Sequence, residues 1–364
     1  LSSVMLSGIR EDTVFSCDSA ALTCLVTPGI LFPAIKAAVK AAAAKIPVPF
    51  NLFFLILISL FLGMQGYMIS ASKRDETLVH ARNKNLVGIK KERAESIDVI
   101  VLGDSLSYTS VSPMQLWKDY HVTSYICGQA GQKIQETYYI LKTALEKQSP
   151  KVVFLETNVM FRGQSGINGL KNTIAEKGNY YFPIFRIHDI WKPLLTGIQY
   201  KDEMYKGFIL RDIVKPYCGG AYMKPTKKKA KIPDAVYDYM DDIISMCREH
   251  GIKLVLYSSP SPDNYNYEKH NVLEEYARDY SLDYIDMNLQ LKDIGIDWKT
   301  DSFDGGDHLN LCGAEKVTDY IAKYIKSTCN ISDIKSDIVY KEWENELVKY
   351  NETVKKKLEI MRMQ

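Results

Sequence analysis

Ser105 and His308 are the two side chains whose settings point most directly to chemistry. Ser105 closes the stretch Ile97-Asp-Val-Ile-Val-Leu-Gly-Asp-Ser105, an apolar run that reads as a buried strand delivering a serine at its carboxyl end. His308 lies in Asp304-Gly-Gly-Asp-His-Leu-Asn310, with carboxylates one and four residues before it. A hydroxyl, an imidazole and a carboxylate are the parts of nucleophilic acyl transfer: the ring takes the hydroxyl proton and the carboxylate orients the ring. Asp304 and Asp307 are equal candidates for the orienting role.

Two further segments offer hydrogen-bond donors. Cys127-Gly-Gln-Ala-Gly-Gln132 follows a strand candidate, and Gly131 there exposes a backbone N–H that can face a developing oxyanion. The same pattern suits an ordinary strand-to-helix turn. Phe154-Leu-Glu-Thr-Asn158 ends a strand on Asn158, whose amide is a second oxyanion donor or a helix cap.

These residues need a scaffold that brings them together across some two hundred positions, and the flanking pattern supplies one. Short apolar runs at 99–102, 122–126, 152–155, 252–258 and 282–285 read as strands. Helical patterns at 113–120, 134–147, 235–250, 272–280 and 313–326 alternate with them. Such alternation predicts an α/β domain over 96–330, a three-layer sandwich with a parallel sheet covered on both faces. Sites in such sheets form beyond the carboxyl ends of the strands, where Ser105 and Asn158 both fall. Gly103 permits the sharp turn before the serine, and Asp104 is placed to fix it.

Residues 162–234 interrupt the alternation with an aromatic-rich insertion carrying Tyr180-Tyr-Phe-Pro-Ile-Phe, Trp191, Tyr200, Tyr205, Phe208, Tyr217 and Tyr222. A segment of this kind is a lid that stacks on a substrate or a small satellite core. Residues 331–364 read as one amphipathic helix, with Tyr340, Trp343, Leu347, Tyr350, Val354, Leu358 and Met361 recurring at three and four.

Ahead of the domain, residues 46–71 form an uncharged apolar stretch long enough to cross a bilayer, followed by a linker at 72–95. A signal peptide is the alternative, weakened because no small-residue cleavage site clearly follows. Lysines and arginines on both flanks balance, so charge does not orient the span. Residues 1–45 carry little pattern beyond an alanine-rich helix candidate at 34–45.

Bulk composition excludes several classes. A net charge of +2 with no basic stripe gives no footprint for nucleic acid. Seven cysteines without a Cys-x-x-Cys pair argue against a structural metal, and no pattern calls for a cofactor.

Taken in order, Ser105, Gly131, Asn158 and His308 resemble the four blocks of the SGNH family of GDSL-type esterases and acyltransferases. The resemblance covers roughly residues 96–330 and is most specific at Gly-Asp-Ser105 and Asp-His308-Leu-Asn. It implies Ser105 as nucleophile and His308 as general base. It further implies an oxyanion hole from the N–H groups of Ser105 and Gly131 with the Asn158 amide. The family's usual acid position three residues before the histidine is Gly305 here, and Val159 replaces the second polar residue of the third block.

A membrane anchor followed by such a domain is similar to SGNH-type proteins that esterify cell-envelope polymers, such as the D-alanine-transfer protein of teichoic acid synthesis and the alginate acetylation proteins. That likeness implies an extracytoplasmic domain, an acyl ester of a glycan or teichoic-acid-like polymer as substrate, and a membrane-bound O-acyltransferase partner. A non-catalytic envelope-assembly protein on the same scaffold is the competing reading.

Overall fold

A computed structural model describes residues 48–162, 166–201, 203–332 and 335–364. The helix candidate at 34–45 and the start of the expected span lie outside these residues. The chain divides between Gly66 and Tyr67 into two units.

Helix α1 (Val48–Arg74) carries the apolar stretch and runs three residues past the expected end at 71. It is long and apolar enough to cross a membrane. Leu52, Phe53, Ile56, Leu57 and Leu60 are exposed along it. In the second unit its last turns are enclosed instead, with Met68, Ala71 and Ser72 buried.

The expected linker is partly helical. Helix α2 (Ala81–Ile89) buries Asn85, Val87 and Ile89. The Asn85 amide donates to the carbonyls of Gly128 and Gly207, at 2.7 and 3.2 Å, so this segment is bonded to the domain and is not a free stalk.

Five strands build the sheet: β1 (Val99–Leu102), β2 (Ser124–Ile126), β3 (Val152–Glu156), and then, after the insertion, two more at Lys253–Ser258 and Asp283–Asp286. Between the first three lie α3 (Ser105–Ser110), α4 (Pro113–Tyr120) and α5 (Ile134–Leu145). The insertion forms α6 (Gly166–Tyr181), α7 (Ile184–Ile187), α8 (Trp191–Thr196) and a hairpin of β4 (Met204–Tyr205) and β5 (Phe208–Ile209). Helix α9 (Asp234–Glu249) leads into β6 (Lys253–Ser258), α10 (Tyr267–Asp279) and β7 (Asp283–Asp286). Helices α11 (Leu311–Thr328) and α12 (Asp337–Met361) end the chain.

The sheet order is β2-β1-β3-β6-β7, with every pairing parallel. This is the flavodoxin-like order, whose chain reverses direction across the sheet between β1 and β3 and so opens a crevice at their carboxyl ends. All residues of β1 and β3 are buried, as a sheet covered on both faces requires. The edge at β2 is covered by the insertion, where the Ile126 N–H donates to the Lys206 carbonyl at 2.9 Å.

Helix α12 packs back on the domain. Trp343 is buried with its ring 5.5 Å from that of Trp117 in α4, and the Trp117 indole N–H donates to Glu344. Lys206 of the hairpin turn reaches Glu92 at 3.0 Å and Glu346 at 2.9 Å, and lies 4.9 Å from the Trp343 ring centre. One ammonium therefore joins the segment after α2, the insertion and the last helix.

Candidate active site

Gly103 turns the chain at the end of β1 with φ +152°, and a Cβ there would stand 2.6 Å from the Glu156 Cβ of β3. Only glycine allows the two strand ends to approach this closely. Asp104 follows as N-cap, accepting the Leu106 N–H at 3.0 Å, so helix α3 begins at Ser105 itself. The sequence pattern had placed the first helix at Pro113; the buried aspartate cap starts one eight residues earlier. Ser105 is half-buried, at the first turn of α3 and the mouth of the β1–β3 crevice.

Asn158 lies in the turn after β3. Its amide donates to Asp104 Oδ2 at 2.8 Å, and its own backbone N–H donates to Glu156 Oε2 at 2.9 Å. Arg162 approaches the same Asp104 oxygen at 2.5 Å, and Lys269 donates to Asn158 Oδ1 at 3.2 Å. An amide carries two N–H donors, so one is committed to Asp104 and the other makes no hydrogen bond among the described residues.

His308 sits on a tight loop closed by the bridge between Ser302 and Leu309. Asp304 Oδ2 lies 2.6 Å from its Nδ1, and Asp304 Oδ1 accepts its backbone N–H at 2.8 Å. Asp307 stands 3.4 Å from the same Nδ1, and its carboxylate is engaged by the Asn264 amide. With the proton on Nδ1 donated to Asp304, Nε2 is the basic nitrogen. That Nε2 is buried and has no hydrogen-bond partner among the described residues.

The insertion braces this loop. The Lys215 N–H donates to the Ser302 carbonyl at 2.9 Å and the Leu311 N–H to the Arg211 carbonyl at 2.8 Å. Gly306 lies under the Tyr217 ring, where a Cβ would meet ring carbon at 2.7 Å. Arg211 lies 4.8 Å from the Phe303 ring centre, and its charge opposes the rise of the Tyr108 hydroxyl of α3. One guanidinium therefore stands over the histidine loop and acts electrostatically on the serine helix. Burial pushes the Tyr108 hydroxyl up, with the charges of Asp104 and Asp307 adding to it.

Gly131 occupies an exposed turn at φ +63°, with open space where a Cβ would stand. The glycine packed against the serine elbow is Gly128, whose Cβ would collide with the Ser107 hydroxyl and come within 3.1 Å of the Asp104 carbonyl. Ser105, Asp104 and Asn158 are thus joined through β1 and β3, and His308 with Asp304 and Asp307 through one loop. Gly131 makes no comparable approach to the elbow.

Sequence reasoning assigned no role to Glu156, Arg162, Arg211 or Lys269. Burial pushes the Glu156 carboxyl up to about 8, with the Asp104 charge adding and the N–H groups of Asn158 and Ser259 opposing. Burial also lowers the Lys269 ammonium, opposed by Glu156. A charged residue ending the apolar strand Val-Val-Phe-Leu-Glu156 was the one visible signal.

Asp304, Asp307 and His308 place three metal-ligating atoms within 4.8 Å of one another. Both Asp304 oxygens are engaged by His308 and Asp307 Oδ1 accepts from Asn264, so the protein itself uses most of this donor set. A cavity of about 560 Å³ lies elsewhere, lined by Glu76, Lys84, Tyr125, Lys206 and Glu346 among others, and none of the site residues borders it.

No protein-family profile matches the chain, and no curated protein does. Among solved structures, a lipase/acylhydrolase from Enterococcus faecalis is 14% identical with a TM-score of 0.36, covering 66% of this chain and 100% of its own. An acylhydrolase candidate from Bacteroides fragilis is 13% identical with a TM-score of 0.34, covering 63% and 86%. A platelet activating factor candidate from Streptococcus pneumonia is 13% identical with a TM-score of 0.35, covering 75% and 98%.

Proposed function

We propose that the protein is a serine esterase or O-acyltransferase acting through an acyl-enzyme on Ser105. The observation that carries the reading is the state of His308. Its Nδ1 is held by Asp304 and its buried Nε2 is unpartnered among the described residues.

In the proposed reaction, Nε2 takes the Ser105 hydroxyl proton as Oγ attacks the acyl carbonyl. The tetrahedral oxyanion is met by the Ser105 N–H and the uncommitted Asn158 N–H. A donor of this kind contributes about 3–4 kcal/mol to the transition state. Gly131, the third donor expected from the resemblance, would have to swing in from its exposed turn. Collapse passes the imidazolium proton to the leaving alkoxide and leaves acyl-Ser105. Water or an acceptor hydroxyl then gives its proton to Nε2, attacks the acyl carbon and releases the serine, which recovers its proton from the ring. The substrate class is an acyl ester of an envelope glycan or teichoic-acid-like polymer. A membrane-bound O-acyltransferase is the acyl-donating partner, and α1 anchors an extracytoplasmic domain.

Labelling of the full chain by a fluorophosphonate tests this. Label is expected on Ser105 and lost in Ser105→Ala, and label that persists in that variant sinks the assignment.

One observation favours a catalytically idle envelope-assembly protein instead. Among the described residues no hydrogen bond joins Ser105 to His308. Such bonds often tighten only when substrate binds, so the open geometry is compatible with catalysis. Absence of both labelling and turnover of p-nitrophenyl acetate would favour the idle reading.

A further inference from the structure

The insertion exposes large apolar side chains that its own satellite core does not use. Ile184, Ile187 and Ile190 are buried, yet Leu195 is 79% and Ile198 66% exposed, with Trp191 at 48%. Ile167, Leu170 and Ile174 on α6 are likewise exposed. Single exposed apolar residues are ordinary, but Trp191, Leu194, Leu195 and Ile198 lie exposed within eight consecutive residues, which marks a contact surface.

The place of this surface in the chain identifies the contact. The Tyr200 N–H, two residues beyond Ile198, donates to the Thr77 carbonyl at 2.8 Å. The rings of Tyr200 and His80 are 5.2 Å apart, and Lys84 Nζ donates to the Tyr200 carbonyl at 2.6 Å. The Asn83 amide donates to the Arg186 carbonyl at 3.0 Å, and Arg82 and Arg186 share Glu136. The exposed segment is therefore fastened to residues that follow directly on the end of α1 at Arg74.

From Val48 to Tyr67 α1 rises about 30 Å, which is about the thickness of the bilayer hydrocarbon. Beyond Tyr67, Met68, Ala71 and Ser72 on the last turns of α1 are buried. Lys73 and Arg74 close α1 with charges suited to headgroup phosphates, and Lys192 lies beside the Trp191 ring. Tryptophan is favoured at that depth, where an apolar ring meets polar headgroups.

We propose that the Trp191–Ile198 face of the insertion rests in the headgroup layer of the membrane that α1 spans, as a second lipid contact. The proposal rests on reading α1 as a membrane-spanning anchor and is independent of the chemistry at Ser105.

The test uses the full chain reconstituted into phosphatidylcholine–phosphatidylglycerol vesicles, with lipids brominated near the carbonyl end of the acyl chain. Bromine quenches tryptophan only at close range. The expected result is lipid-dependent quenching of the intrinsic fluorescence that falls at least twofold in Trp191→Phe, and that falls likewise in Leu195→Asp. The second variant keeps all four tryptophans, so a change in it reports displacement of the face. Equal quenching in wild type and both variants, in protein that resists carbonate extraction, overturns the second contact and leaves the anchor intact. Protein stripped from the vesicles by carbonate overturns the anchor and the proposal together.

Discussion

Asp304 holds His308 at two points, with one carboxylate oxygen 2.6 Å from Nδ1 and the other accepting the histidine's own backbone N–H at 2.8 Å. The four-residue spacing makes this possible, because Gly305 and Gly306, at φ +93° and +125°, fold the intervening chain back on itself. Asp307, adjacent in sequence, is turned toward Asn264 and stands farther from the ring. Asp304→Asn is expected to slow fluorophosphonate labelling of Ser105 by about 10³–10⁴-fold, as loss of an orienting acid does elsewhere. Asp307→Asn is expected to change it by less than about tenfold, acting through the loop. Equal losses in the two variants would reverse the assignment.

Asn158 is placed for a double duty, one N–H on Asp104 and one free. Asn158→Ala is expected to lower the labelling rate by about 10²–10³-fold through the lost oxyanion donor. Arg162→Ala removes the other partner of Asp104 but no donor to the oxyanion. It should lower the melting temperature more than the labelling rate of protein that stays folded. Rates and melting curves on the same preparations separate the two.

The two glycines of the turn after β2 should respond oppositely to a methyl group. Gly128→Ala forces Cβ into Ser107 and toward the Asp104 carbonyl, so the serine elbow must shift and labelling should fail. Gly131→Ala meets open space and costs only the strain of a left-handed residue, about 1–2 kcal/mol. Abolished labelling in a folded Gly131→Ala variant would show that this turn does enter the site.

Glu156 gives a pH signature. Its carboxyl is raised from an ordinary 4.5 to about 8, so across that window the folded chain keeps a proton that the unfolded chain has released. Stability therefore falls as pH rises from about 4.5 to 8. Glu156→Gln removes the titration and should flatten that slope, whatever it does to stability at a single pH. Melting temperatures at intervals across the window check it, and an unchanged slope would place the titration elsewhere.

The strands were legible because the runs at β1, β3 and β6 are buried on both faces and need no alternation to be seen. The turn of Gly103 and Asp104 was legible for the same local reason. What escaped depends on partners distant in sequence. Helix α2 looked like linker because its burial rests on Asn85 reaching Gly128 and Gly207. Arg211 gained its place only when the insertion folded over both Tyr108 and Phe303. Gly131 and Gly128 share one short motif, and spacing alone did not say which packs against the serine. Asp304 and Asp307 were equal on paper until the glycine turn between them fixed which one faces the ring.

The sheet order also carries a consequence in time. Ser105 follows the first strand made and His308 comes after the last, so a ribosome working at roughly 5–20 residues per second needs roughly 10–40 s to go from one to the other. Throughout that interval the nascent chain carries Ser105 without His308. The proposed chemistry therefore has to wait until β7 has joined the sheet edge and the histidine loop has closed, and by then α1 has long since emerged.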